Sequence, residues 1–190
     1  MKNDDMVPEN EQQRSRMKLK KDAKRSETRN WIISLVVAFT IALMLRLFVF
    51  EFISVSGPSM QPTLYSHEYV FMEKVTYWFE EPAYGDVVIC KFPGSTATYV
   101  KRVIGVEGDV LEIKDGTLYI NGQEDKTYFS GYIDHTMPPT VVPDDSIFVM
   151  GDNRNQSMDS RYDTVGPLNN NMVLGKALFV IWPPKEIGGL

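Results

Sequence analysis

The run WIISLVVAFTIALMLRLFVF, Trp31 to Phe50, constrains this chain more than any other feature. Trp31 to Leu45 carries no charge, and Arg46 is the only interruption before Glu51. At about 1.5 Å rise per residue, roughly twenty residues of helix match a hydrocarbon core about 30 Å thick. Arg46, near one end, can carry its charge to headgroup level. A core helix of a globular domain shows a polar face, which an unbroken uncharged run lacks. A cleaved leader would end in small residues at an A-x-A-like site, whereas Arg46, Leu47, Phe48, Val49 and Phe50 follow here. The sequence therefore predicts a transmembrane helix from Trp31 to about Val49, retained as an anchor.

Charge sets the orientation. Arg14 to Arg29 holds eight Lys and Arg against only Asp22 and Glu27, and basic residues beside a span stay on the cytoplasmic side. The expected organisation is a basic cytoplasmic tail (1–30), the anchor (31–49) and an extracytoplasmic domain (50–190). That makes a single-pass protein of the cell membrane, with lipid as a partner. Residues 1–13 are polar and aperiodic and read as a disordered tail. Residues 31–190 carry 11 basic and 19 acidic side chains, which argues against a nucleic-acid partner. One cysteine, Cys90, allows no intrachain disulfide, and its alternation with Val88 and Phe92 assigns it to the core.

Beyond the span the chain reads as β structure. HEYVFMEK, GDVVICKF, TYVKRVIGVE, DVLEIK, TLYING and SIFVMG are short runs rich in Val, Ile, Tyr and Phe. Lys114-Asp115-Gly116 and Asn121-Gly122 supply the positive-φ positions of tight hairpins. TMPPTVVP, Thr136 to Pro143, suits a loop or a sheet edge, because proline cannot donate to a ladder. The fold class expected is mainly β: one N-terminal transmembrane helix followed by an antiparallel, barrel-like domain.

The chemistry narrows by what is scarce. His67 and His135, the two histidines, lie in polar contexts that suit loops or strand ends, so a Ser-His-Asp arrangement has no good base. No His and Cys spacing suits a metal, no glycine-rich loop opens a helix, and no organic cofactor is implied. A serine with a lysine base remains, since burial favours the neutral amine. In TYVKRVIGV, period-2 alternation puts Tyr99, Lys101 and Val103 on one face and Val100, Arg102 and Ile104 on the other. A strand lysine can equally be a solvated edge residue. GDNRNQSMDSRYDTVG, Gly151 to Gly166, reads either as an exposed loop or as a hydrogen-bonded scaffold in which Asp159 pairs with Arg161 or Arg154.

SGPSMQPTL, GDVV, YVKRVIGVEGD and GDNRNQSMDSRY, in this order behind an amino-terminal anchor, resemble the ordered boxes of the bacterial type I signal peptidases. The short interval between Lys101 and Gly151 is similar to that of the compact Gram-positive members. The resemblance implies a membrane-bound serine endopeptidase with a Ser/Lys dyad, whose partners are secreted preproteins cleaved after small residues at −1 and −3. Carried over by position, Ser59 matches the nucleophile and Lys101 the general base. Ser157 matches the serine that orients the amine, and Asp152, Arg154, Asp159, Arg161 and Arg102 match supporting residues. The Ser59 N–H matches an oxyanion donor, and Gly57 stands where some members carry a serine hydroxyl as a second one. Ile53, Val55, Met60, Leu64, Tyr99 and Val100 match positions lining the substrate groove.

Two other classes share part of this pattern. A Ser/Lys autoprotease would use the same dyad but lack the span. A non-catalytic anchored β-domain or assembly factor would keep the fold and lose Ser59 or Lys101, both of which are present. Oligomeric state and the preferred preproteins are not encoded in any motif.

Overall fold

The structure is a computed structural model that describes residues 9–190. It forms two units, one ending at Arg46 and one running from Leu47 to Leu190. Helix α1 (Glu9–Phe48), which makes up the described part of the first unit and ends two residues beyond it, is one unbroken element of 40 residues. Its stretch Glu27–Phe48 is long and apolar enough to cross a membrane, at about 33 Å for 22 residues. Trp31, Leu35, Phe39 and Ile41 are all exposed, so apolar side chains face outward all round. The Thr40 hydroxyl bonds back to Val36 O at 2.8 Å, which satisfies it within the helix. Residues 9–13, expected in a disordered tail, are helical; the remainder of that tail, residues 1–8, lies outside the described residues.

The second unit is mainly β structure, and all its strand pairings are antiparallel. Its strands are β1 (Phe50–Ser54), β2 (Tyr69–Glu73), β3 (Val87–Lys91), β4 (Thr98–Val106), β5 (Val110–Lys114) and β6 (Thr117–Ile120), followed by β7 (Gln123–Glu124), β8 (Met137–Val141), β9 (Ser146–Met150), β10 (Leu168–Asn169), β11 (Val173–Trp182) and β12 (Gly188–Gly189). One sheet runs β1-β2-β11-β3-β4-β9-β10 with β12 on β11, and the other β7-β6-β5-β8. All six runs singled out in the sequence become strands. Asp115 and Gly116 (φ 51° and 75°) and Asn121 and Gly122 (φ 52° and 78°) make the two tight hairpins, since both central positions of a type I′ turn need positive φ. The proline-rich β8 pairs with β5 alone, at the edge where its missing donors cost nothing.

Burial explains why some runs alternate and others do not. In β3, Val87 and Ile89 join a core cluster with Val55, Met60 and Leu64, while Val88 and Cys90 join a second with Val103, Val149 and Phe92. A strand covered on both faces reads as continuously apolar, and Cys90 is core as its spacing indicated. In β9, Phe148 and Met150 face a third cluster that ties the two sheets together through Ile104, Leu111 and Ile133. The longest strand, β11, is not among the expected runs. Its pattern is broken by Gly175 and Lys176 and by register shifts against β2 and β3. Gly175 lies so close to Glu73 O that no Cβ fits there, so the residue that hides the strand from pattern reading is the one that lets it pack.

Candidate active site

Ser59 lies in the turn that leaves β1. Gly57 takes φ +92°, a conformation that favours glycine. The Ser66 hydroxyl clamps that peptide, accepting from Gly57 N–H at 2.9 Å and donating to Gly57 O at 3.2 Å. Beyond it, Gln61 N–H bonds to Pro58 O and Leu64 N–H to Met60 O, which coils the segment and sinks Met60 and Leu64 into the core. The Ser59 carbonyl accepts Asn153 N–H at 3.0 Å, fixing the turn to the segment after β9. The Ser59 N–H makes no hydrogen bond among the described residues.

Lys101 reaches this turn from β4, where it pairs with Val88 of β3. It is 3 % exposed, and its Nζ lies 2.8 Å from Ser59 Oγ and 3.1 Å from the carbonyl of Val100. Burial pushes its pKa below that of an ordinary lysine. Asp159, Cys90 and Asp152 oppose the shift, and Arg161 adds to it. No carboxylate forms an ion pair with this amine among the described residues. An uncharged amine in hydrogen-bond contact with a hydroxyl can remove its proton, and the free N–H of Ser59 can receive the oxyanion that attack would generate.

A scaffold of buried ion pairs surrounds the pair. Asp159, fully buried, accepts Arg161 Nε at 2.7 Å and Nη2 at 2.9 Å, with Gly151 N–H at 3.0 Å. Of the two partners open in the sequence, Arg161 is the one taken. Arg161 Nη2 also donates to Arg154 O at 2.6 Å, so Arg154 supports the loop through its backbone. The Arg154 guanidinium meets Met150 Sδ at 3.4 Å, and burial lowers its pKa. Arg102 makes a second bidentate pair, Nε to Asp152 Oδ1 at 2.8 Å and Nη2 to Oδ2 at 2.7 Å, with Nη1 donating to Gly85 O at 2.8 Å. The ring of Tyr128 packs 4.1 Å from its Cζ, and Thr63 Oγ1 donates to Asp152 Oδ2 at 2.5 Å.

Two expected contacts differ. Ser157 is buried, but its hydroxyl bonds to Met158 O at 3.5 Å and does not reach the lysine amine; the amine is held by the carbonyl of its own strand instead. Ile53, Val55, Met60, Leu64 and Val100 gather in one core cluster. Tyr99 does not join them, because it stacks on Phe92 at 4.0 Å on the other face of the strand. His67 sits in a turn at φ 73° and His135 packs 5.3 Å from the ring of Tyr162. Among the described residues no cluster of His, Cys, Asp and Glu is arranged to hold a metal ion.

Sequence reasoning passed over Gly151, Thr63, Ser66 and Tyr128. Gly151 gave a faint signal, a glycine directly after an apolar strand. A Cβ on it would collide with the Ser59 carbonyl and the Ser157 hydroxyl, closer than real Cβ contacts allow. Two strand edges near Ser59 are also unpaired. β1 ends its sheet, and Thr98 to Lys101 of β4 pair with β3 alone, because β9 joins only from Arg102 onward.

Comparison with known proteins adds an independent line. A family model described as signal peptidase, peptidase S26, matches residues 28–182. Signal peptidase I of Bacillus licheniformis is 37 % identical over 175 residues, which cover 86 % of this chain and 94 % of that protein. Signal peptidase I S of Bacillus subtilis (strain 168) is 36 % identical over 183 residues, covering 90 % and 98 % respectively. A crystal structure of a signal peptidase I from Enterococcus faecalis V583 aligns with a TM-score of 0.43 at 29 % identity, over 51 % of this chain and 97 % of that one. With a family match running from the apolar helix to the end of β11, and relatives aligned over nearly their whole length, this chain belongs to the signal peptidase family, peptidase S26.

Proposed function

We propose that the serine endopeptidase activity of this family, removal of signal peptides from preproteins, is carried out here by Ser59 and Lys101. The observation that carries this reading is the 2.8 Å contact between a half-buried serine hydroxyl and a buried amine held by neutral groups. Neutral Lys101 takes the Ser59 proton as Oγ attacks the scissile carbonyl. The oxyanion forms against the Ser59 N–H, a preorganised donor with no other partner among the described residues. The resulting ammonium returns its proton to the leaving amine, the C–N bond breaks, and the mature chain departs with a new amino terminus. A water deprotonated by Lys101 then hydrolyses the Ser59 ester and frees the signal peptide carboxylate.

In this reading Asp159–Arg161 and Arg102–Asp152 hold the loop and the strand on which the dyad depends, while Gly57, Arg154 and Ser157 shape the surroundings. The signal peptide end lies extended against the open edges of β1 and β4, a form of β-augmentation. Small residues fit at −1 and −3 because Val55, Met60 and Leu64 are already close-packed, with Ile53 and Val100 beside them, and a bulky side chain would have to displace core. Tyr99, turned to the other face, contributes to the strand rather than to this floor.

The helix from Glu27 to Phe48 anchors the protein, with its basic side cytoplasmic and the β unit outside. About ten residues of chain separate the helix end from Ser59, a short tether that suits substrates held in the same membrane. Trp78 and Phe79, 58 % and 82 % exposed, suit contact with lipid; Tyr77 is tied by its hydroxyl to Asp86 at 2.9 Å. Cleavage of a purified preprotein by wild type, Ser59→Ala and Lys101→Ala tests the dyad: both variants should be inactive, and comparable cleavage by all three would end the proposal.

A further inference from the structure

The path of the cleaved chain away from the site follows from which strand edges are already occupied. β9 takes one side of β4 from Arg102 to Val106 and leaves Thr98 to Lys101 open. A substrate strand laid on that open edge meets the end of β9 at Lys101 and cannot continue in the sheet. The block is close to the nucleophile. Gly151, the first residue after β9, packs against the Ser59 carbonyl, which is bonded in turn by Asn153 N–H. A chain that continues past the scissile bond in this direction meets the segment from Gly151 to Asp159. Ser157 is extended there (φ −130°, ψ 129°); Ser157 and Asp159 are buried, and Met158 between them is 60 % exposed.

We propose that Met158 is the contact for the first residues of the mature chain, a subsite on the opposite side of the scissile bond from −1 and −3. The inference rests on the substrate-strand reading above. The charged side chains of this segment, Asp152, Arg154 and Asp159, are all buried, as is Arg161 just beyond it, so the segment itself offers an uncharged surface to the departing chain. An unbranched, polarizable thioether adapts to many shapes. That suits a subsite that must accept varied mature termini, and the preference it imposes is shallow, favouring uncharged residues over charged ones.

The test uses the full chain in lipid–detergent micelles and peptides with one fixed signal-side sequence. The first two mature-side residues are Ala-Ala, Lys-Lys or Glu-Glu. Within each enzyme the ratio of kcat/KM for Glu-Glu over Lys-Lys is measured, so general losses of activity cancel. Met158→Lys should raise that ratio and Met158→Glu lower it, the two differing by about tenfold or more, while the relative rates for alternative residues at −1 and −3 stay as in wild type. Met158→Leu should keep the wild-type ratio. A ratio that agrees within about twofold between the Lys and Glu variants overturns the inference alone. Cleavage that survives Ser59→Ala overturns the dyad reading beneath it, and the inference with it.

Discussion

Lys101 and Arg102 are consecutive residues of one strand, 3 % and 5 % exposed, and they meet the burial of a cation in opposite ways. Arg102 is paired with a bidentate carboxylate and has a backbone carbonyl and an aromatic ring around it. Lys101 has a serine hydroxyl and one carbonyl, and desolvation pushes its pKa down. A planar guanidinium that stays protonated makes a framework. An amine that can lose its proton makes a base. Lys101 and Arg102 differ in whether a carboxylate stands opposite the nitrogen, and successive residues on a strand face opposite sides, so each can receive a different answer.

The largest expected effect comes from removing the unpaired amine. Lys101→Met should reduce cleavage by about 10³-fold while leaving the protein at least as resistant to heat near neutral pH, as thermal melting would show. The sign follows from linkage. Between the lowered folded pKa and the ordinary lysine value, the unfolded chain binds a proton that the folded one does not, so wild-type stability rises with pH across that window and falls as pH drops through it. The methionine variant should lack this slope.

Removing a paired group should do the reverse. Asp159→Ala leaves Arg161 buried without its carboxylate, and equilibrium unfolding should register a loss of about 3–5 kcal/mol, with activity lost through folding rather than through chemistry. A native-like melting curve for this variant would break the division between framework and base. Gly151→Ala lies between the two: a methyl group against the Ser59 carbonyl should lower kcat by about 10²-fold through misplacement of the nucleophile, with circular dichroism unchanged.

A subtler effect concerns pH. Activity should fall on the acid side as Lys101 becomes protonated, with its limb below the range of an ordinary lysine. Asp152 helps to hold a proton on the amine, so Asp152→Asn should shift that limb to still lower pH in a pH–rate profile. A limb displaced upward would contradict the electrostatic assignment. The smallest effect is expected from Tyr128→Leu, which removes the ring beside Arg102 and should cost about 1 kcal/mol of stability, read as a modest fall in melting temperature with kcat nearly preserved.

Much of this architecture was legible because the signals are local. A helix that is apolar all round, strands that alternate, and the paired positive-φ residues Asp115-Gly116 and Asn121-Gly122 each follow from a few neighbouring residues. β11 was missed for the same reason, since Gly175 weakens its pattern while serving a contact with Glu73 that is distant in sequence. In the site, alternation separated Lys101 from Arg102 correctly. It also put Tyr99 on the face of Lys101, and that face is where Tyr99 stacks on Phe92, away from the cluster joined by Val100. The Ser157 hydroxyl shows the limit of transfer by position: the matching residue is present and buried, yet its hydrogen bond goes to Met158 O.

The sequence by itself determined the long helix, the β character of the rest, the turns and the faces on which side chains project, because periodicity and backbone preference act over a few residues. Only the tertiary structure decided that Lys101 and Ser59, 42 residues apart, come within 2.8 Å, and that among the described residues no carboxylate pairs with the amine while two pair with the neighbouring arginines. Partner and solvent exposure depend on how distant segments pack together, and the desolvation that lowers the pKa of Lys101 exists only once that packing has formed.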